Sequence, residues 1–234
     1  MNAGARIVVV HGIGQQLKGE DTLLQVWLPG LRDGLRRTEP KLAEADLPGS
    51  DNVRCAFYGD LFRPAGTKAG GIPPYDALDV EDGFEHELLD AWWAKASRID
   101  PAVPGPAAAT KLRAPRTAQR ALNALSGSRF FSGMAERALI FSLKQVRWYF
   151  QRPEVRTAAQ QRVAGAVGED TRLVIGHSLG SVVAYEALAA HPEWPVKVSC
   201  RSAHRWGSAG WSSTGWNPRH ATGPAPGQDR YDPG

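Results

Sequence analysis

The sequence predicts an α/β protein built on a mostly parallel sheet, and two aliphatic runs separated by helical patterns carry that prediction. Ile7, Val8, Val9 and Val10 form one run, and Leu173, Val174 and Ile175 form the other. Unbroken aliphatic runs suit strands buried on both faces, whereas a half-exposed sheet favours alternation. Each run leads into a glycine-containing loop, and the second hands over directly to a helical pattern, as a strand-to-helix unit does.

At 234 residues the chain is long enough for one α/β domain with a full core. Hydrophobic residues at 42% and charged residues at 22% describe a folded protein, not a disordered one. The net charge of +4 comes from basic residues spread along the chain with no block of like charge, so nucleic-acid binding is not implied. Cys55 and Cys200 stand far apart and form neither a disulfide framework nor a metal-ligand spacing, which fits a reducing compartment. The first residues show no signal-peptide pattern, and no apolar run reaches the roughly 18 residues of a membrane span. The expected location is therefore cytoplasmic.

Residues 7–10 read as a buried strand that ends in His11-Gly12-Ile13-Gly14. A dinucleotide fingerprint would need a third glycine at position 17, which is Leu17, so that reading fails. A loop of this kind instead offers closely approaching backbone N–H groups to a developing oxyanion. Residues 22–37 carry Leu23, Leu24, Val26, Trp27, Leu28, Leu31 and Leu35 near helical spacing, with Pro29 and Gly30 expected to break the helix in two. Residues 53–57 read as the next strand. Asp60 follows its carboxyl end, where ligands of open α/β sheets bind, although a solvated carboxylate or helix cap is the commoner role for such a residue.

Residues 63–152 are a long excursion before the next sheet element. They open with a Pro/Gly-rich stretch over 64–74 and continue with a helical pattern over 80–97 bearing Phe84, Leu88, Leu89, Trp92 and Trp93. A Pro-rich stretch over 101–115 reads as a mobile linker, and a second helix is expected over 135–150, with Leu139, Ile140, Leu143, Val146 and Phe150 on one side. An insertion of this size is expected to sit over the strand ends as a cap, with its aromatic residues forming the cap's own core. Pro153 opens a helix that runs to Gly168, proline being tolerated in the first turn.

After the helix that follows residue 178, Val196 to Val198 begins another strand. From Cys200 to Gly234 there is no Leu, Ile, Val, Met or Phe, while Trp206, Trp211 and Trp216 stand among polar residues. Such a segment lacks the material for a buried strand or an amphipathic helix. The expected organisation is a core over 1–62 and 153–199, a helical cap over 63–152, and a disordered or aberrant tail over 200–234.

The chemistry-bearing stretch is Gly176-His177-Ser178-Leu179-Gly180, with the strand over 173–175 before it and Val182, Val183, Ala187 and Leu188 continuing as a helix after it. A serine at so sharp a corner adopts a strained backbone, and the positions two before and two after it must be nearly bare for strand and helix to pass. The pattern is G-x-S-x-G in the context of a nucleophile elbow, which exposes the serine Oγ at the top of the sheet. His177 is adjacent to Ser178 in sequence but points to another side, and is expected to pack.

With this motif and the His-Gly loop together, residues 5 to about 199 resemble the lipase/esterase side of the α/β-hydrolase superfamily. The resemblance implies an α/β-hydrolase sheet with a helical cap insertion, its C-terminal strands missing here. It implies that Ser178 is the nucleophile, that the backbone N–H groups of Ile13 and Leu179 form the oxyanion hole, and that His11, Asp60 and His177 are possible site-lining residues. Gly12, Gly14, Gly176 and Gly180 are then the elbow and loop glycines. The implied reaction is hydrolysis of a small-molecule or lipid carboxylic ester through an acyl-enzyme, with no metal or organic cofactor.

In that superfamily the acid and then the histidine follow the serine. Downstream of Ser178 stand Glu186, Glu193, Asp229 and Asp232 with His191, His204 and His220. None falls on a loop after a later strand, so the acid and base are expected to be absent and esterase activity impaired. The alternatives are a non-catalytic α/β-hydrolase-like binding protein, an acyltransferase, a thioesterase or a serine peptidase.

Overall fold

In the computed structural model, which describes residues 5–63, 71–106, 114–129, 131 and 133–202, four strands form one parallel sheet. They are β1 (Ile7–Val10), β2 (Val53–Ala56), β3 (Leu173–His177) and β4 (Val198–Ser202), in the order β2-β1-β3-β4. Val10 lies level with Ala56 on one side and Gly176 on the other, so three carboxyl ends finish together. The loops that follow them share one edge of the sheet.

Side chains alternate between the two sheet faces along each strand. Val8, Val10, Ala56 and Val174 face α5 (Pro153–Ala166) and α6 (Leu179–Ala190), packing with Ala159, Val163, Val183 and Ala187. Val9, Val53, Cys55 and Ile175 face α1 (Glu20–Thr38) through Leu23, Leu24, Trp27 and Leu28. Val8, Val9 and Val10 are wholly buried, and each contributes roughly 1.5–3 kcal/mol relative to an exposed side chain. Both faces being covered explains why these strands read as unbroken aliphatic runs.

Helix α1 corrects the expectation of a break, because it runs continuously with Pro29 inside it. Proline denies a hydrogen bond to the carbonyl of Gln25, but Gln25 and Pro29 are both exposed, so the lost bond falls on the solvent side of the helix. At its start, Glu20 Oε1 accepts from the Cys55 N–H at 3.1 Å, satisfying a donor on the edge strand β2.

The excursion between β2 and β3 is helical: α2 (Phe84–Ile99), α3 (Ala114–Ser126) and α4 (Glu136–Gln151). Leu89, Trp93 and Ala96 of α2 pack with Ala118, Ala121, Leu122 and Leu125 of α3 and with Leu139, Ile140 and Leu143 of α4. Helix α4 also turns Phe141 and Tyr149 into the sheet-side core. Every residue from Leu139 to Val146 is buried, including Lys144 and Gln145, because α4 lies between two apolar clusters. The expectation of a single apolar side for this helix is corrected accordingly.

The stretch expected as a mobile linker over 101–115 is anchored at both described ends. Val103 is buried and the Pro104 carbonyl accepts from Trp93 Nε1–H at 2.6 Å, while residues 114–115 open α3; residues 107–113 lie outside the described residues. Of the Pro/Gly-rich stretch over 64–74, residues 64–70 likewise lie outside them.

Strand β4 carries a further correction. It pairs in parallel with β3 from Val198 opposite Leu173 to Ser202 opposite His177, three residues past the point where the sheet was expected to stop. Backbone pairing does not require the aliphatic side chains whose loss marked that expectation. Residues 203–234, the remainder of the expected tail, lie outside the described residues. No helix among the described residues is long and apolar enough to cross a membrane.

Candidate active site

Ser178 occupies the corner between β3 and α6 with φ 54° and ψ −127°, and among the described residues it is the one non-glycine with a positive φ. Such a conformation costs of order 1–3 kcal/mol and persists only where the surroundings over-determine it. The surroundings here are three glycines. A Cβ at Gly180 would stand 2.2 Å from the His11 carbonyl oxygen and 2.3 Å from that of Val10. A Cβ at Gly176 would stand 2.6 Å from Ser181 Cα. The start of α6 therefore lies directly on the ends of β1 and β3.

The third glycine joins the two sequence motifs. A Cβ at Gly12 would meet Ser178 Cβ at 2.7 Å and His177 O at 3.0 Å, so the His-Gly loop passes against the serine with no room for a side chain. Gly14 meets nothing, and its requirement is instead its φ of +75°. Ser178 caps α6 without a side-chain hydrogen bond, which leaves its Oγ uncommitted to that helix end.

His11 is a wholly structural ring. The Tyr58 N–H donates to Nε2 at 3.0 Å, which makes Nε2 an acceptor and puts the proton on Nδ1. Nδ1–H then donates to the Gly12 carbonyl at 2.8 Å. The Tyr58 hydroxyl donates to the His11 carbonyl at 2.6 Å, and the two rings stack at 4.2 Å. Burial pushes the His11 pKa down to about 4, against smaller upward pulls from the Gly12 hydrogen bond and the charge of Asp60. A neutral ring with both nitrogens engaged has no free lone pair for catalysis.

That ring nevertheless orients a donor. The 12–13 peptide is planar and trans, so with its carbonyl turned to His11 its Ile13 N–H points the opposite way. The Leu179 N–H belongs to the first turn of α6, where helix donors have no partner within the helix. Neither N–H has an acceptor among the described residues. Ile13 and Leu179 are the residues that follow Gly12 and Ser178, the pair in contact at the carboxyl edge of the sheet.

Of the remaining sequence candidates, His177 lies edge-on to Trp27 at 6.2 Å between ring centres, and its Nδ1 stands 3.1 Å from where a Gly12 Cβ would be, in the same contact as Ser178 Cβ. Asp60, in the short turn Gly59–Phe62, is half-buried and its Oδ2 accepts from Arg162 of α5 at 3.0 Å, so it is an ion-pair partner rather than a solvated loop carboxylate. Glu186 of α6 is buried and accepts from Tyr149 Oη at 2.5 Å, Arg156 Nε at 2.9 Å and Gln160 Nε2 at 2.9 Å, which ties α4, α5 and α6 together. His191 ends α6, roughly 20 Å from Ser178 at about 1.5 Å per residue, with Nδ1 2.8 Å from Glu193 Oε1 and its ring stacked on Trp194. His86 lies on α2 beside Glu81 and Asp82. His204, His220, Asp229 and Asp232 are outside the described residues.

Cys55 is a second candidate nucleophile, buried in β2. Burial, with the nearby Glu20 charge, pushes its thiol up to about 12, so it stays protonated and inert. Among the described residues no three His, Cys, Asp or Glu side chains converge as metal ligands would.

Sequence reasoning missed Tyr58 and Gln145. Gln145 Oε1 accepts from the Gly14 N–H at 3.0 Å and its Nε2 donates to Gln16 Oε1 at 3.1 Å, while Arg63 Nε donates to the Gln16 carbonyl at 2.8 Å. The one available signal was a polar pair, Lys144-Gln145, interrupting the apolar pattern of α4. Scans against protein-family models, curated proteins and solved structures return no match to this chain.

Proposed function

We propose that this chain is a serine hydrolase of the α/β-hydrolase type that cleaves a carboxylic ester through an acyl-enzyme on Ser178. The observation that carries the reading is the strained Ser178 at φ 54°, held between β3 and α6 by glycines that admit no Cβ, with the His-Gly loop in contact with it. Strain of this kind at a polar residue needs a reason, and exposing Oγ at the carboxyl edge of a parallel sheet is one. Ser178 Oγ attacks the ester carbonyl, the carbonyl oxygen takes up negative charge between the Ile13 and Leu179 N–H groups, and the alcohol leaves. Water then releases the acid from Ser178.

The step needs a proton acceptor for the hydroxyl, and among the described residues no histidine hydrogen-bonds to Ser178 Oγ. In a related constellation, removing the histidine costs on the order of 10⁶ in turnover. Oxyanion stabilisation and binding alone supply roughly 10³–10⁴ over water. The reading therefore includes weak turnover by this chain, well below an ordinary ~10 s⁻¹. Reaction with an activated fluorophosphonate, mapped by peptide mass, tests it: the reading requires modification of Ser178 and none in Ser178→Ala. The variants His204→Ala and His220→Ala establish whether either residue assists.

The missing base also favours a second reading from another class, a non-catalytic α/β-hydrolase-like binding protein. A small-molecule or lipid ester that binds equally well to Ser178→Ala and is never hydrolysed would select it.

A further inference from the structure

We infer that Gln145 is a positioning residue for the oxyanion loop, and that through it the seating of helix α4 controls whether Ser178 can react. The inference rests on the serine-hydrolase reading of Ser178, and it concerns how that site is regulated.

The argument starts from the two peptides on either side of the Ile13 Cα. The 12–13 peptide is held at its carbonyl by His11 Nδ1–H at 2.8 Å. The 13–14 peptide is held at both polar atoms: Gln15 Nε2 donates to the Ile13 carbonyl at 3.3 Å, and Gln145 Oε1 accepts from the Gly14 N–H at 3.0 Å. His11 and Gln15 belong to the loop itself. Gln145 is 131 residues away on α4, and it reaches the Gly14 N–H from the helical excursion.

The chemistry of Gln145 leaves it one orientation. An N–H can only donate, so the atom facing Gly14 is the amide oxygen, and the amide nitrogen is left to donate to Gln16 Oε1 at 3.1 Å. Gln145 is 1% exposed, so water does not replace either partner while α4 is seated. The space beside Gly14 is open, with nothing within 4 Å of where a Cβ would stand, and Gly14 has a φ of +75°.

Helix α4 is in turn fixed by the helical excursion. Lys144, next to Gln145, donates to the Asp79 carbonyl at 2.7 Å and to the fully buried Glu85 of α2 at 3.3 Å. A shift of α4 against the sheet therefore releases the Gly14 N–H and leaves the loop that carries the Ile13 N–H held by His11 and Gln15 alone. Movement of the helical excursion is thereby coupled to the oxyanion donors with no side chain of it entering the reaction.

The test compares the full-length chain with Gln145→Met, which keeps the length and removes both hydrogen bonds, and Gln145→Glu, which restores an acceptor for Gly14 while Gln16 rotates its amide to donate. Hydrogen exchange at Gly14 is expected to quicken about tenfold or more in Gln145→Met, within the range that losing one buried hydrogen bond allows. Exchange at Val8, Val9 and Val10 stays unchanged, and Gln145→Glu returns Gly14 to within about threefold of the parent. The limiting rate of fluorophosphonate modification at Ser178 falls about tenfold in Gln145→Met with its half-saturating concentration unchanged, and recovers in Gln145→Glu.

If the parent chain is not modified at Ser178, the hydrolase reading fails, and the exchange result alone decides the positioning role. Unchanged exchange at Gly14 in Gln145→Met, or equal acceleration in Gln145→Glu, overturns the inference. Should Gln145→Met lose protection throughout β1, Gln16→Met decides: it frees the Gln145 amide to rotate, and Gly14 must exchange faster with β1 intact.

Discussion

The glycines around Ser178 differ in kind from the glycines of α1, and that difference has measurable consequences. At Gly180 an added methyl would collide with two carbonyl oxygens at 2.2 and 2.3 Å, both backbone atoms of β1 and the residue after it. Relief requires moving the helix start off the sheet, so Gly180→Ala is expected to cost about 3 kcal/mol or more. At Gly30, exposed in the middle of α1, nothing lies within 4 Å, so Gly30→Ala is expected to add about 0.5–1 kcal/mol by restricting the unfolded chain. Thermal unfolding of the two variants checks the contrast. His11 supplies a second test at this scale. Its pKa is about 6.5 unfolded and about 4 folded, so the unfolded chain binds the proton more readily between those values. Stability from the neutral ring is fully present above pH 6.5 and is lost as pH falls toward 4, by roughly 3 kcal/mol over the window. Urea unfolding from pH 7 to pH 4 should show this slope in the parent chain, and a flatter slope over the same window in His11→Asn despite its lower stability.

The elements that were legible in the sequence are those whose burial is one-sided or complete. Strands β1 and β3 announced themselves because both faces are covered, and the serine corner because its glycines are dictated by contact. Helix α3 was not legible: its buried residues Ala118, Ala121, Leu122, Ala124 and Leu125 follow helical spacing, but three are alanines and leave little hydrophobic contrast. Helix α4 was legible as a helix but not as a buried one, since Lys144 and Gln145 read as surface residues until their partners in α2 and the His-Gly loop are known. Proline at position 29 misled because its cost depends on where the freed carbonyl points, which the sequence does not carry. Ion pairs between elements were equally hidden, and two of them make a comparison. Arg156 meets Glu186, whose side chain is 9% exposed, whereas Arg162 meets Asp60 with half of the arginine in water. Arg156→Leu leaves a buried carboxylate with only Tyr149 and Gln160 as donors and is expected to cost about 2–3 kcal/mol. Arg162→Leu is expected to cost no more than about 1 kcal/mol. Chemical denaturation of both variants under one set of conditions measures the ratio.

At the scale of the whole molecule, a parallel sheet of four strands carries helices on both faces, and the helical excursion reaches back through α4 to the loop beside the serine. Strand β4 gives β3 its second neighbour, so the strand that delivers Ser178 is interior rather than an edge. A chain ending at residue 202 is expected to stay folded and soluble to a greater extent than one ending at residue 197, in which the N–H and C=O groups along one side of β3 lose their partners. Equal melting temperatures and yields for the two would contradict the pairing. The central claim, that this framework exists to present Ser178 as a nucleophile, is tested most directly by the site of fluorophosphonate attachment. The account predicts slow modification confined to Ser178 and abolished in Ser178→Ala; an unmodified parent chain, or modification that persists in Ser178→Ala, would contradict it.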